Sequence, residues 1–179
     1  MLYSFKNLKQ TTMLLISLFL ACSSIDIEHD TINKKVRIYQ YLNKNLELKG
    51  VIDYQNNTTQ IFLHTKLKNH SIIKQTPLIL PDTTKIEGKT SYEYDNKSSS
   101  GKWVNASSFI LNKPILEKLL NEDEYVYNKE DVKIQVGLET LKMNKAKIKN
   151  FLIKLNITEK QYIKNKHTEK QNIKKYKEL

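Results

Sequence analysis

The chain changes its hydrophobic period once, and that change divides it. From Lys35 to about Gly137, apolar residues recur mostly at every second position; from Leu138 onward they recur at every third and fourth. A period of two suits strands with one buried face, and a period near 3.6 suits a helix laid against them. A run of strands followed by helix predicts an α+β fold, an antiparallel meander with a C-terminal helix packed on one sheet face.

The strands read as follows. "KVRIYQYL" sets Val36, Ile38 and Gln40 on one face and Arg37, Tyr39 and Tyr41 on the other. "NKN" turns the chain into "LELKGVIDY", where Gly50 is read as a bulge. "QNNTT" is the next turn signal, and "QIFLHTKL" alternates Ile61, Leu63, Thr65 and Leu67. "SIIKQTPLILP" has strand character, with Pro77 and Pro81 confining its end to an edge or terminus. "KTSYEYD" and "KWVNASSFIL" flank the loop "NKSSSG" and are expected to pair. "KPILEKLL" reads as a short helix with Pro114 in its first turn. "EYVYNKEDVKIQVG" supplies one or two more strands. A helix is predicted over 138–155 from Leu141, Ile148, Phe151, Leu152 and Leu155, with a restart at Thr158 as N-cap and Gln161 three residues on.

The amino terminus has a different logic. Lys6 and Lys9 precede a short apolar run, Met13 to Ala21, which ends at Cys22, the sole cysteine. The run is too short to span a bilayer, which takes about 20 residues. Positive start, short apolar middle and small residue at the boundary form the layout of a secretory signal. The expected division is 1–21 signal peptide, 22–34 polar tether, 35–157 α+β domain and 158–179 basic helical tail. The tether is assigned from Asp26, Glu28 and Asp30; alternation of Ile25 and Ile27 with polar residues leaves a strand start as the other reading.

The residues "FLAC" at Phe19–Cys22 resemble a lipobox, and Phe19 and Leu20 make it a relaxed one. Low Gly and Pro, abundant Asn and Ile, and lysine almost without arginine accompany it. Together these resemble a Borrelia-type spirochaetal surface lipoprotein, often plasmid-encoded. The resemblance implies a diacylglyceryl group on the Cys22 sulfur, cleavage before Cys22 and acylation of the new amine. Several acyl chains hold a protein on a membrane where one does so only marginally. The implied location is the cell envelope, at the outer membrane surface; the resemblance places the mature domain in no narrower family.

The net charge of +11 suggests anionic partners. Only Arg37 among the 30 basic residues is arginine, and A/T-rich codons account for much of the lysine. Arginine is the usual reader of phosphate and bases, so this balance argues against nucleic acid. The hydrophobic fraction of 39% is enough for one folded domain and excludes a disordered chain.

Catalytic constellations are not evident. His29, His64, His70 and His167 form no metal-ligand spacing, and "SSSG" at 98–101 has no nucleophile-elbow frame. No cofactor and no metal are implied, and the class expected is a binding or interaction module rather than an enzyme. An envelope assembly role facing the periplasm and an enzyme with an unrecognised site remain as alternatives. Two features suggest contact surfaces. Tyr39 and Tyr41, Tyr92 and Tyr94, and Tyr125 and Tyr127 are each spaced to share one strand face, and Trp103 joins them if its strand pairs with 90–94. Lys164, Lys166, Lys170, Lys174, Lys175 and Lys177 make a basic patch suited to sulfated glycans, acidic extracellular proteins or membrane headgroups. Both features have a bland reading as well, tyrosine as a good strand former and lysine as a solvated helix face.

Overall fold

The computed structural model describes residues 25–69, 77–95, 102–121 and 130–177, with side chains placed up to Tyr162 on the last helix. Cys22, Tyr125 and Tyr127 lie outside the described residues, as do the side chains of Lys164, Lys166, Lys170, Lys174, Lys175 and Lys177. The elements are β1 (Ile25–Asp30), β2 (Lys35–Asn43), β3 (Leu46–Asp53), β4 (Thr58–Asn69), β5 (Leu78–Ile79), β6 (Lys85–Ile86), β7 (Gly88–Asp95), β8 (Lys102–Leu111), α1 (Lys113–Asn121), β9 (Asp131–Val136), β10 (Glu139–Asn144) and α2 (Lys145–Lys177).

Strands β1 to β4 form an antiparallel meander, and the β7–β8 hairpin adds to it through β8, giving the order β1-β2-β3-β4-β8-β7. A second antiparallel sheet has the order β10-β9-β5-β6. Both helices and both sheets contribute to one core, which α2 closes against β2 and β3. The architecture is the α+β arrangement that the change of period implies.

The alternation does the sorting. Val36, Ile38 and Leu42 of β2 are buried beside Leu46, Leu48 and Ile52 of β3, and Ile61, Leu63 and Leu67 of β4 continue the layer. Phe109 and Leu111 extend it into β8. From the facing side come Val132, Ile134 and Val136 of β9 and Ile148, Phe151, Leu152 and Leu155 of α2. The short helix forms where Pro114 predicts it. Asn112 caps it, its Oδ1 accepting from the Ile115 amide.

Several expectations need correction. Residues 25–30 of the expected tether are an edge strand, in register with β2 from Ile25↔Gln40 to Asp30↔Lys35. Its acidic residues are not solvating a tether. Arg37 holds Glu28 and Asp30 at 2.9 and 3.0 Å. His29, read as a tether residue, instead bonds Tyr162 of α2 at 2.7 Å.

The helix expected from 138 starts at Lys145. Gly137, at φ 61°, and Leu138 make a two-residue turn, so Leu141 and Met143 are buried with the period of β10. Asn144 is the N-cap, its Oδ1 accepting from the Lys147 amide. Thr158 is not a cap: it is buried in mid-helix and its hydroxyl donates to the Lys154 carbonyl. The boundary at 157/158 therefore falls within one helix, which still packs on the domain at Tyr162.

Gly50 is no bulge either. Register runs unbroken through it, and the irregularity lies between Tyr41 and Asn43. Pro77 and Pro81 bracket β5, which is two residues long and pairs on both sides.

Candidate functional site

Residues opposite one another in an antiparallel register share a face. The inner face of the six-stranded sheet is the core. The outer face is covered by no described element, and it carries rows that cross the sheet. One row is Tyr39↔Lys49↔Phe62↔Ile110; the next is Tyr41↔Glu47↔His64↔Ser108↔Lys89. Ile110 is 60% exposed, an unusual apolar residue for an open face. The Lys49 ammonium sits over the Tyr39 ring, 5.2 Å from its centroid, and Phe62 stacks on His64 at 6.0 Å.

A shallow concavity of about 340 Å³ lies on this face, bounded by Glu47, His64, Lys66, Lys89, Ser91 and Ser108. Its charges are unbalanced. Elsewhere on the face Lys35 faces Asp53, Arg37 holds Glu28 and Asp30, and Lys68 faces Asp95. Lys66 and Lys89 form no ion pair among the described residues. Burial pushes the Glu47 carboxyl up, against the pull of Lys49 and Lys66. Burial, with the same two lysines, pushes His64 down, so its imidazole is neutral at pH 7 and offers one N–H donor. Two ammonium groups, two hydroxyls and one imidazole donor outweigh the single carboxyl of Glu47 and make a surface fitted to an acidic group.

The tyrosine pairs do not build one surface. Tyr39 and Tyr41 lie on the outer face. Tyr92 and Tyr94 lie opposite Asn105 and Trp103, in register with Gly88↔Phe109, and so on the inner side of the sheet. β7 and β8 do pair, and Trp103 meets both rings edge-on, at 6.1 Å from Tyr92 and 5.1 Å from Tyr94. These tyrosines sit past the edge of the core and stay half exposed, 50% for Tyr92 and 47% for Tyr94. The expected single aromatic surface is thus split between two faces of one sheet. The reason is parity: the residues of β7 that share the core side with Phe109 include both tyrosines.

The concavity was not read from the sequence. Its members come from β3, β4, β7 and β8, and only register unites them. The available signal was the set of polar residues at the parity opposite to the core positions. Among the described residues no three His, Cys, Asp or Glu side chains are placed to hold a metal ion, and no helix is long and apolar enough to cross a membrane. Comparison with protein-family models, curated proteins and solved structures gives no match.

Proposed function

We propose that the protein is a lipid-anchored cell-envelope lipoprotein, held through Cys22, whose domain is a binding module for an extracellular ligand bearing acidic groups. The observation that carries the ligand class is the open outer face, where Lys66 and Lys89 flank Ser91, Ser108 and a neutral His64, form no ion pair among the described residues and outnumber the one carboxyl of the concavity, Glu47. The anchor rests on the signal layout and the relaxed lipobox at Phe19–Cys22. Ligand binding here is electrostatic and surface-borne, so it weakens as salt screens the lysines.

The test of the ligand class uses a sulfated polysaccharide and its desulfated counterpart, both immobilised. The wild-type chain is retained on the sulfated form alone, and Lys66→Glu with Lys89→Glu lowers retention at least tenfold. Equal retention on both polysaccharides would overturn the ligand class. The anchor is tested in cells: Cys22 carries labelled fatty acid, and Cys22→Ala releases the protein from membranes. Protease added to intact cells cleaves the domain if it faces outward and spares it if it faces the periplasm.

A further inference from the structure

We infer that the acidic ligand is a linear sulfated polysaccharide, laid obliquely across the outer face of the six-stranded sheet over Lys89, Lys66 and Lys44 in turn. It rests on the binding-module reading of that face and adds to it the ligand's shape and path.

The first observation is that three lysines fall on one line. Lys89 of β7 is opposite Ser108, which is opposite His64. Lys66 is therefore two strands over from Lys89 and two residues along. With strands about 4.8 Å apart and about 3.4 Å per residue, that step is about 12 Å. Leu46 is opposite Thr65, and the Lys66 amide donates to the Asn45 carbonyl at 2.9 Å. Lys44 stands one residue beyond, in the turn from β2 to β3. It continues in the same direction by roughly 8 Å. Both steps lead away from β7 and toward the end of the sheet where β4 finishes. All three lysines are exposed, and none forms an ion pair among the described residues.

The second observation is the shape of the surface under that line. The concavity at His64 adjoins another, of about 520 Å³, bounded by Lys44, Asn45, Lys66, Lys68, Val104 and Glu139. Lys66 borders both, so the two are continuous there. Glu47 in one and Glu139 in the other are the carboxyls of the lining, and Lys68 faces Asp95 at 2.8 Å. A single acidic group at either end leaves the ammonium at the other end unneutralised. A chain with acidic groups along its length neutralises them together. Each group after the first binds at the high effective concentration that the chain imposes.

The third observation separates a sugar chain from other chains of negative charge. β3, β4 and β8 beneath the line are hydrogen-bonded on both sides, and the Asn45 carbonyl is already taken. Their backbone offers an acidic peptide no ladder to join. Arginine, the usual reader of phosphate and bases, is missing from the line, because Arg37 is the only one and holds Glu28 and Asp30. The line is bordered instead by the hydroxyls of Ser91 and Ser108 and by the His64 imidazole. These are partners for the hydroxyls and sulfates of a sugar chain.

Sulfated oligosaccharides of graded length and equal charge density, titrated against the wild-type chain at fixed salt, test the path. Affinity is expected to rise at least tenfold as the oligosaccharide lengthens to roughly 20 Å, the span from Lys89 to Lys44, and to level off beyond it. In Lys44→Gln the rise stops at the shorter length that covers Lys66 and Lys89. Lys133→Gln makes the same loss of charge on β9 of the other sheet and keeps the wild-type profile. Affinity independent of length, or equal effects of Lys44→Gln and Lys133→Gln, would remove the path and leave the acidic-ligand reading in place. Tighter binding of polyglutamate or of single-stranded DNA of the same charge would overturn the sugar chain as the ligand. No binding of any acidic chain, long or short, would sink the acidic-ligand reading and the path with it.

Discussion

Leu155 of α2 occupies the space in which a side chain at Gly50 of β3 would begin. A Cβ built there would lie 2.7 Å from Leu155 Cδ1 and 3.3 Å from Phe151 Cζ. Both residues are fully buried, so neither has room to retreat. Gly50 is what lets the helix lie flat on the sheet. Gly50→Ala is expected to cost about 1–3 kcal/mol of stability through overpacking. That corresponds to a Tm lower by roughly 3–10 °C. In a Leu155→Ala background the same change costs less, because the obstructing methyl is gone. Thermal unfolding of the four variants checks this, and a Gly50→Ala protein as stable as wild type would show that the helix shifts freely.

The single arginine is a clamp for β1. Its Nη1 and Nη2 donate to Glu28 and Asp30, two residues apart on the edge strand, and Glu28 also accepts from the Tyr39 hydroxyl at 2.9 Å. A planar fork spans two carboxylates where the point charge of lysine does not. Arg37→Lys is therefore expected to loosen β1 selectively. Amide exchange over 25–30 speeds up at least tenfold while amides of α2 near Phe151 keep their protection. Unchanged exchange in β1 would mean that the ladder alone holds it.

Thr65 presents the opposite case, a polar group in the core with nothing to bind among the described residues. It is 1% exposed, and its Oγ1 has no hydrogen-bond partner among the described residues. Its cross-strand neighbour Ser107 is engaged elsewhere, with Thr90 at 3.0 Å. A buried hydroxyl without a partner keeps its desolvation cost and gives nothing back. Thr65→Val, close in shape, is expected to stabilise the fold by about 1 kcal/mol. Denaturant unfolding decides it: a midpoint below that of wild type would show that the hydroxyl is satisfied in solution.

These cases show why some elements are legible in sequence and others are not. Val36, Ile38, Leu46, Leu48, Ile61 and Leu63 declare a core face because parity alone assigns them. Pro114 declares a helix start because its fixed φ suits only a few places. β10 hides, because "ETLKMN" is made largely of good helix formers, and only its hairpin with β9 through Gly137–Leu138 makes it a strand. β1 hides because its acidic residues look solvating until Arg37 is placed opposite them. Contacts across register are the least legible. Nothing local tells Tyr39 from Tyr92, yet strand pairing sends one to the open face and the other to the rim of the core. The concavity at His64 has the same origin.

Acid should release α1 before it melts the sheet. Among the described residues two ion pairs fasten this helix, Lys113 to Glu159 of α2 near its start and Lys118 to Asp82 of the β5–β6 turn toward its end. At Glu159 burial pushes the carboxyl up, but hydrogen bonds from Lys113 and Thr59 and the Lys113 charge outweigh it and leave it below its ordinary value of 4.5. At Asp82 the hydrogen bond from Lys118, helped by those from Thr84, lowers the carboxyl to about 2 from 3.8. Both groups are more acidic in the folded chain than in the unfolded one. Their contribution is thus complete above the unfolded values and fades as pH falls through the folded ones, because there the unfolded state binds more protons. Stability is expected to hold down to about pH 4.5 and to decline from there to pH 2. Asp82→Asn makes the lower part of that decline shallower, and Glu159→Gln the upper part. Urea midpoints measured from pH 7 to pH 2 give the curve, and amide exchange in α1 gives the order of events. A double variant whose acid decline is as steep as that of wild type would assign acid sensitivity to other carboxylates.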